Sequence, residues 1–159
     1  MSSGIGWDSH RLVAGRPLIL GGVTIPHDRG LDGHSDADVL THAVIDALLG
    51  AAALGDIGQH FPDRDERYRD ADSIELLRTV VAVLAERGLD VAHVDTTVIM
   101  ERPKLAPLRA AIRASLAGAL GVAPEAVNVK ATTGEGLGFV GRAEGAAALA
   151  VATVETSAV

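Results

Sequence analysis

Two periodicities, one near two residues and one near 3.6, alternate along the chain. The stretch from Ser3 to Val13 reads as extended, and Leu18-Ile19-Leu20 with Val23-Thr24-Ile25 around Gly21-Gly22 predicts a hairpin or bulged strand pair. A first helix is predicted from Asp36 or Asp38, both good N-terminal residues, through Leu54, with Gly55 as its stop. A second carries Leu76, Leu77, Val80, Val81 and Leu84 on one stripe, begins at a cap on Asp72 or Ser73, and ends at Gly88. A third spans Leu108 to Leu120, with Pro107 suited to its first turn and Gly121 closing it. Strands are predicted at Val91–Met100 and Val127–Lys130. The apolar run Ala146–Val154 predicts a strand buried on both faces, although its periodicity also admits a helix. Asp56 to Asp72 is charged, contains Pro62 and has no helical period, so it reads as a functional loop. Strand and helix patterns alternate without repeat or linker, which predicts one α/β domain over residues 1–159.

Composition narrows the function. Hydrophobic residues make up 48% of the 159 positions, yet the aromatics are only Trp7, Phe61, Tyr68 and Phe139, so the core is aliphatic and rich in alanine. Small side chains imply elements that approach closely, or surfaces completed by another subunit. There is no cysteine, which removes disulfide scaffolds, thiolate metal sites and thiol catalysis; a metal here must sit on His and carboxylate. The N-terminus lacks a basic and apolar leader pattern, and no apolar run reaches the ~20 residues of a membrane span, so a cytoplasmic protein with no membrane partner is expected. A net charge of −7 argues against nucleic acid as a partner. An anionic small molecule would need a metal, a lysine or backbone amides to offset that charge.

The strongest chemical constellation joins Asp8-Ser9-His10 to the segment His34–His42. In a strand, residues two apart share a face, so Asp8 and His10 can address one metal, and His42 falls on a helical stripe with Asp38 and Asp46. Two His and one Asp would leave an open fourth position on a tetrahedral zinc, the arrangement of catalytic sites. Asp38 or Asp46 would orient His42 from behind. The same spacing also fits a solvated face of acids and histidines. His27 and His93 read as surface or packing residues, and the loop leaves His60 undecided.

A second cluster runs from Lys130 to Arg142. Within it, Gly136 to Gly141 spells G-x-G-x-x-G, but a dinucleotide site needs a helix, a strand and an acid ~20 residues on, and only 18 residues follow. What remains is a glycine-rich turn offering amides, the hydroxyls of Thr132 and Thr133 and the carboxylate of Glu135, suited to phosphate and a hard cation such as Mg²⁺. A tight turn alone would explain the glycines but not those three side chains. Of the fourteen basic residues only Lys104 and Lys130 are lysines, and both lie in motif-like segments. Arg102 to Pro107 reads as a rigid loop presenting one ammonium, while Gly55 to Asp63 by itself reads as an acidic surface loop.

Taken together, these segments resemble the 2-C-methyl-D-erythritol 2,4-cyclodiphosphate synthase family of the non-mevalonate isoprenoid pathway, from about Gly4 to Val154. The resemblance is carried by G-x-D-x-H (Gly6–His10), G-H-S-D-A-D-V (Gly33–Val39) with His42, A-L-L-G-A-A-A-L-G-D-I-G (Ala47–Gly58), F-P-D (Phe61–Asp63), A-D-S (Ala71–Ser73), P-K-L (Pro103–Leu105) and V-K-A-T-T-G-E-G-L-G-F-V-G-R (Val129–Arg142). It implies an α+β fold, a mixed β-sheet with helices on one face, assembled as a homotrimer whose active sites lie between neighbouring subunits.

The implied reaction is that of a phosphorus–oxygen lyase: cyclisation of 4-diphosphocytidyl-2-C-methyl-D-erythritol 2-phosphate with release of CMP. The resemblance implies zinc, or another divalent metal, on Asp8, His10 and His42, and Mg²⁺ or Mn²⁺ at Glu135. It casts His34 and Thr133 as transition-state stabilisers, with Ser35 assisting at the phosphate. Asp56, Ile57 and Gly58, with Phe61, Pro62, Asp63, Arg64 and Asp65, would contact the methylerythritol side. The loop Met100 to Ala106, with Pro103, Lys104 and Leu105, and Ala131, Thr132 and Thr133 would enclose cytosine, largely by backbone contacts. Phe139 and Arg142 would face a central cavity that accepts isoprenoid-like diphosphates. Two positions depart from the family pattern: Gly134 replaces a polar residue, leaving its amide to the substrate, and Ser9, counted among the substrate contacts, replaces an apolar residue and should point away from the metal. Two other readings of the same residues are a zinc-dependent phosphohydrolase and a non-catalytic trimeric protein that binds isoprenoid diphosphates.

Overall fold

In the computed structural model, which describes residues 1–158, the longest strands are β1 (Ser2–Ala14), β5 (Leu89–Ile99) and β7 (Gly145–Thr156). Shorter strands are β2 (Leu18–Leu20), β3 (Val23–Ile25), β4 (Arg29–Leu31) and β6 (Val127–Thr132). The helices are α1 (Val39–Ala51), α2 (Ile57–His60), α3 (Ser73–Glu86), α4 (Arg109–Leu120) and α5 (Gly138–Gly141). Five strands form one mixed sheet in the order β4-β1-β7-β5-β6, in which β5 and β6 are parallel and the other pairs antiparallel. The expected hairpin forms a separate two-stranded unit, β2–β3.

The glycines and alanines let α1 lie almost on the sheet backbone. A Cβ on Gly4 would come within 2.2 Å of the Ala47 carbonyl oxygen, and one on Gly6 within 1.9 Å of that of Ala43, so only glycine fits at either position. Opposite them on β7, Ala146, Ala148, Ala150 and Ala152 form a buried row on the same side. Against this flat surface α1 buries Leu40, Val44, Ile45, Leu48 and Leu49, each contributing roughly 1.5–3 kcal/mol of burial. α3 and α4 continue that layer, with Leu77, Leu84, Ile112 and Leu116 fully buried.

On the other face of the sheet, β1 and β7 expose an apolar patch, while β5 and β6 carry Asp95, Thr97, Asn128 and Lys130 there. Ile5 is 68% exposed, Trp7 51% and Val151 45%, and the register sets Ile5 beside Val151 and Trp7 beside Leu149. β7 is therefore buried on both faces only over Ala146–Ala148 and alternates beyond, which corrects the expectation for the whole run Ala146–Val154. The first helix also ends sooner than predicted, at Ala51; Leu54 lies beyond it, and Ala53 and Gly55 take positive φ in the turn that follows. The charged segment 56–72 contains α2 and a 3₁₀ turn at Glu66–Tyr68, both too short to leave a hydrophobic period in the sequence. No helix among the described residues is long and apolar enough to cross a membrane.

Candidate metal centre and substrate clefts

Strand alternation places Asp8 and His10 on the α1 side of β1, in register with Ala148 and Ala146, whose small side chains leave room above them. The register of α1 is fixed by Asp38, its N-cap. The carboxylate of Asp38 is fully buried and accepts from the amides of Gly21 (2.9 Å), Gly22 (2.7 Å) and Thr41 (2.9 Å) and from the Thr41 hydroxyl (2.8 Å). Burial pushes this carboxyl up, aided by the nearby Asp36 charge and opposed by the amides. One turn further on, His42 comes to face β1.

Three potential ligand atoms then converge. Asp8 Oδ2 lies 2.8 Å from His10 Nε2 and 3.0 Å from His42 Nδ1, and the two ring nitrogens are 3.3 Å apart. A tetrahedral zinc with bonds of roughly 2.0–2.1 Å has ligand–ligand edges of about 3.3–3.4 Å. The triangle is thus close to that size, and these three residues form a group able to hold a metal ion.

The donor chemistry also fits. His10 Nδ1 is 2.8 Å from the Asp32 carbonyl, which can only accept, so Nδ1 carries hydrogen and Nε2 offers a lone pair to the centre. Three electron-pair donors facing one another require a cation or a proton between them. Burial favours the neutral form of Asp8, yet the hydrogen bonds and charges of His10 and His42 outweigh it and bring its carboxyl down to about 2. For His10 burial acts downward, but the Asp8 carboxylate, aided by the Asp32 carbonyl and the Asp63 charge, more than reverses it, so the imidazole is raised above its ordinary value.

The residues behind His42 are not the predicted ones. Asp38 is committed to its cap, and Asp46 accepts the Ile57 amide at 3.0 Å, holding the start of α2. His42 Nε2 instead meets Ser73 Oγ at 2.8 Å and Ser35 Oγ at 3.2 Å. Period-four spacing along α1 cannot reveal Ser73, which arrives from the N-terminus of α3; the A-D-S string was its one sequence signal.

A cavity of about 380 Å³ opens over the three ligands and is lined also by His34, Ser35, Ile57, Gly58, Phe61 and Asp63. Trp7, Gly33, Tyr68 and Leu76 complete it, and sequence reasoning assigned them no contact. The His34 ring is held by Nε2 donating to the Asp65 carbonyl at 3.0 Å. Asp56 caps α2, and the Asp65 side chain pairs with Arg67, while Pro62 and Arg64 flank this wall without lining it. Strand alternation sets Ser9 on the side of β1 opposite Asp8 and His10, and it lines a depression with His10, Arg11 and Phe139.

A second cavity, of about 180 Å³, is lined by Met100, Glu101, Pro103, Lys104, Leu105 and Ala106 from one loop and by Ala131, Thr132 and Thr133 from the end of β6. Glu101 lies within the loop expected to enclose cytosine, but its own contact is an addition: its carboxylate accepts the Gly134 amide at 2.5 Å and so competes for the amide expected to serve a phosphate. Gly134 packs against the turn, with a Cβ there meeting the Gly141 nitrogen and the Leu137 oxygen at 3.0 Å. Glu135 is exposed at φ 54°, and its amide donates to Thr133 Oγ at 3.1 Å. Lys130 does not reach the cavity; it pairs with Asp95 at 2.7 Å. Arg142 pairs with Glu144 at 3.1 Å. The two cavities share no lining residue, so the metal ligands and the Thr133–Glu135 turn belong to separate halves on this chain.

The sequence profile of the YgbB family matches residues 1–155. The chain belongs to the YgbB family. Its relatives include a Salinibacter ruber protein named 2-C-methyl-D-erythritol 2,4-cyclodiphosphate synthase, 60% identical over 157 residues that make up 99% of this chain and 100% of the relative. A Laribacter hongkongensis protein of the same name is 60% identical over 153 residues, 96% of this chain and 94% of its own length. Among solved structures, the bifunctional IspDF of Campylobacter jejuni superposes with a TM-score of 0.94 at 42% identity, covering 98% of this chain, which spans 42% of that longer protein. A 2C-methyl-D-erythritol-2,4-cyclodiphosphate synthase in a CDP-bound form gives a TM-score of 0.89 at 38% identity over 96% of this chain and 99% of that one. The YgbB sheet and helices are thus reproduced over nearly the full described length.

Proposed function

We propose that the chain converts 4-diphosphocytidyl-2-C-methyl-D-erythritol 2-phosphate to 2-C-methyl-D-erythritol 2,4-cyclodiphosphate and CMP, acting in the cytoplasm in non-mevalonate isoprenoid synthesis. The observation that carries this reading is the 60% identity over 99% of the chain with a relative named for that activity. The converging Asp8, His10 and His42 support it. In the reaction an oxygen of the 2-phosphate bonds to the β-phosphorus, the bond from that phosphorus to the bridging oxygen breaks, and the oxygen leaves with CMP. No protein nucleophile is needed, so the chain's work is positioning and charge stabilisation.

Asp8, His10 and His42 would hold a zinc-like cation, and Glu135 a magnesium or manganese ion whose remaining ligands are substrate phosphates and water. When bound, the cations offset the repulsion between the two phosphate groups that must meet. His34 and Ser35 face the same cavity as the metal ligands and would steady the transferred phosphoryl group. Thr133 accepts a hydrogen bond from the Glu135 amide, which leaves its hydroxyl proton for a phosphate oxygen. Phe61 and Asp63 would position methylerythritol, and the Met100–Ala106 loop with Ala131 and Thr132 would hold cytosine. The single domain would extend over residues 1–159.

The two halves of such a site must be brought together by another copy of the chain. A homotrimer closed over the bare sheet face of Ile5, Trp7 and Val151 would bury that apolar surface and set one subunit's metal cavity beside a neighbour's cytosine cavity. An isoprenoid diphosphate near Phe139 and Arg142 belongs to the same proposal. Binding it would require Arg142 to exchange Glu144 for the anion.

Turnover with purified protein and Mg²⁺ tests the reading. CMP release should stop on removing metal with a chelator and return when zinc and magnesium are restored. Full turnover by verifiably metal-free protein would overturn the assignment.

A further inference from the structure

The hydrogens around His42 can be placed by elimination. The Asp36 carboxylate only accepts: Oδ2 takes the Ser73 amide at 3.0 Å, and Oδ1 takes the Ser73 hydroxyl in a short contact as well as the Asp38 amide at 3.1 Å. The Ser73 proton is therefore committed to Asp36. Its oxygen can then only accept from His42 Nε2, 2.8 Å away. Ser35 could play either part, since its hydroxyl also reaches His42 Nε2 at 3.2 Å and accepts the Ala37 amide. Ser73 cannot, and it is wholly buried, so no water competes for it.

We infer that Asp36 and Ser73 are positioning residues for the metal centre: together they fix His42 as the Nε2–H tautomer and so keep its Nδ1 lone pair aimed at Asp8 and His10. The inference rests on the metal-site reading above and extends it beyond the ligands. The motif links two places in the chain, because Asp36 precedes α1 while Ser73 opens α3, directly after the segment that walls the cavity. Partners of this kind typically change metal affinity 10–100-fold when removed.

The test measures Zn²⁺ affinity by competition with a chromophoric chelator for the full chain and for Ser73→Ala, Asp36→Asn and His42→Ala. Asp36→Asn keeps the side chain's shape should Ser73→Ala fold poorly. Ser73→Ala and Asp36→Asn should each bind zinc 10–100-fold more weakly, and imidazole ¹⁵N spectra of the metal-free proteins at alkaline pH should show His42 as Nε2–H in the parent and as a tautomer mixture in Asp36→Asn. Zinc affinity unchanged in both variants, with His42→Ala losing the metal, overturns the positioning role and leaves the metal site standing. A parent chain that binds no zinc overturns the metal-site reading itself.

Discussion

Asp8 Oδ2 and His42 Nδ1 are 3.0 Å apart although 34 positions separate the two residues in the chain. This contact depends on a strand register and a helix cap being correct at once, and it makes His42 the most informative single position. His42→Ala should abolish zinc retention and lower turnover at least ~100-fold, because a cation of this kind contributes several kcal/mol to charge stabilisation. Elemental analysis and CMP release measure the two effects, and sedimentation should show the assembly unchanged. A full complement of zinc in the variant would remove His42 from the ligand set.

The Asp8–His10 pair predicts a particular pH dependence for the metal-free protein. Asp8 is held at about 2, below the ordinary 3.8, so the stability it contributes is full above about pH 4 and lost as pH falls toward 2. His10 is raised above its ordinary 6.5, so its contribution is full below that value and lost as pH rises through the raised one. The pair therefore stabilises most between about pH 4 and 6.5. Zinc binding, which needs the unprotonated imidazole, should strengthen with pH through the upper limit. Melting temperatures of the parent minus those of His10→Asn, with and without zinc, measure this. A metal-free difference that grows from pH 6 to 8 contradicts it.

Gly6→Ala probes the closeness of α1 to the sheet. The new methyl would collide with the Ala43 carbonyl oxygen, next in sequence to His42, and the helix would have to lift. Urea unfolding should show a loss of about 3 kcal/mol, at the upper end of ordinary overpacking, together with weaker zinc binding. A neutral effect on both would mean that the layer tolerates a wider spacing than the structure has.

Ile5→Asp or Val151→Asp places a charge on the bare sheet face. If the chain assembles as the homotrimer proposed above, either should convert it to monomers, observed by light scattering, and abolish turnover while metal binding at Asp8, His10 and His42 persists. An active monomer would refute sites shared between subunits.

The parts of this molecule that sequence made legible are those encoded locally. Asp8 and His10 announce themselves by a period of two, and the stripe from Leu76 to Leu84 by a period of 3.6. The hairpin follows from Gly21-Gly22, and the helix stop at Gly121 from its left-handed conformation. Contacts between distant segments, apart from the meeting of Asp8 and His10 with His42, were not legible. Asp38 shares a helical stripe with His42, which suggested a bond, yet its carboxylate is used up by a cap and by the amides of Gly21 and Gly22 from another element. Ser73 lies 31 positions from His42 and meets it only once α3 has packed. Glu101 was hidden for the same reason, since its partner Gly134 is brought to it by the parallel pairing of β5 with β6. The apolar run in β7 revealed a buried strand but not that its second face is partly exposed at Val151, because burial of that face is set by what packs on it and not by the strand's own sequence.

The most direct test of the central claim is ³¹P NMR of the products formed from 4-diphosphocytidyl-2-C-methyl-D-erythritol 2-phosphate with zinc and Mg²⁺. CMP and the cyclic diphosphate should accumulate in equal amounts as substrate disappears. A linear phosphate product would instead identify a phosphohydrolase, and binding of substrate without any CMP would identify a non-catalytic binding protein; either result contradicts the cyclase.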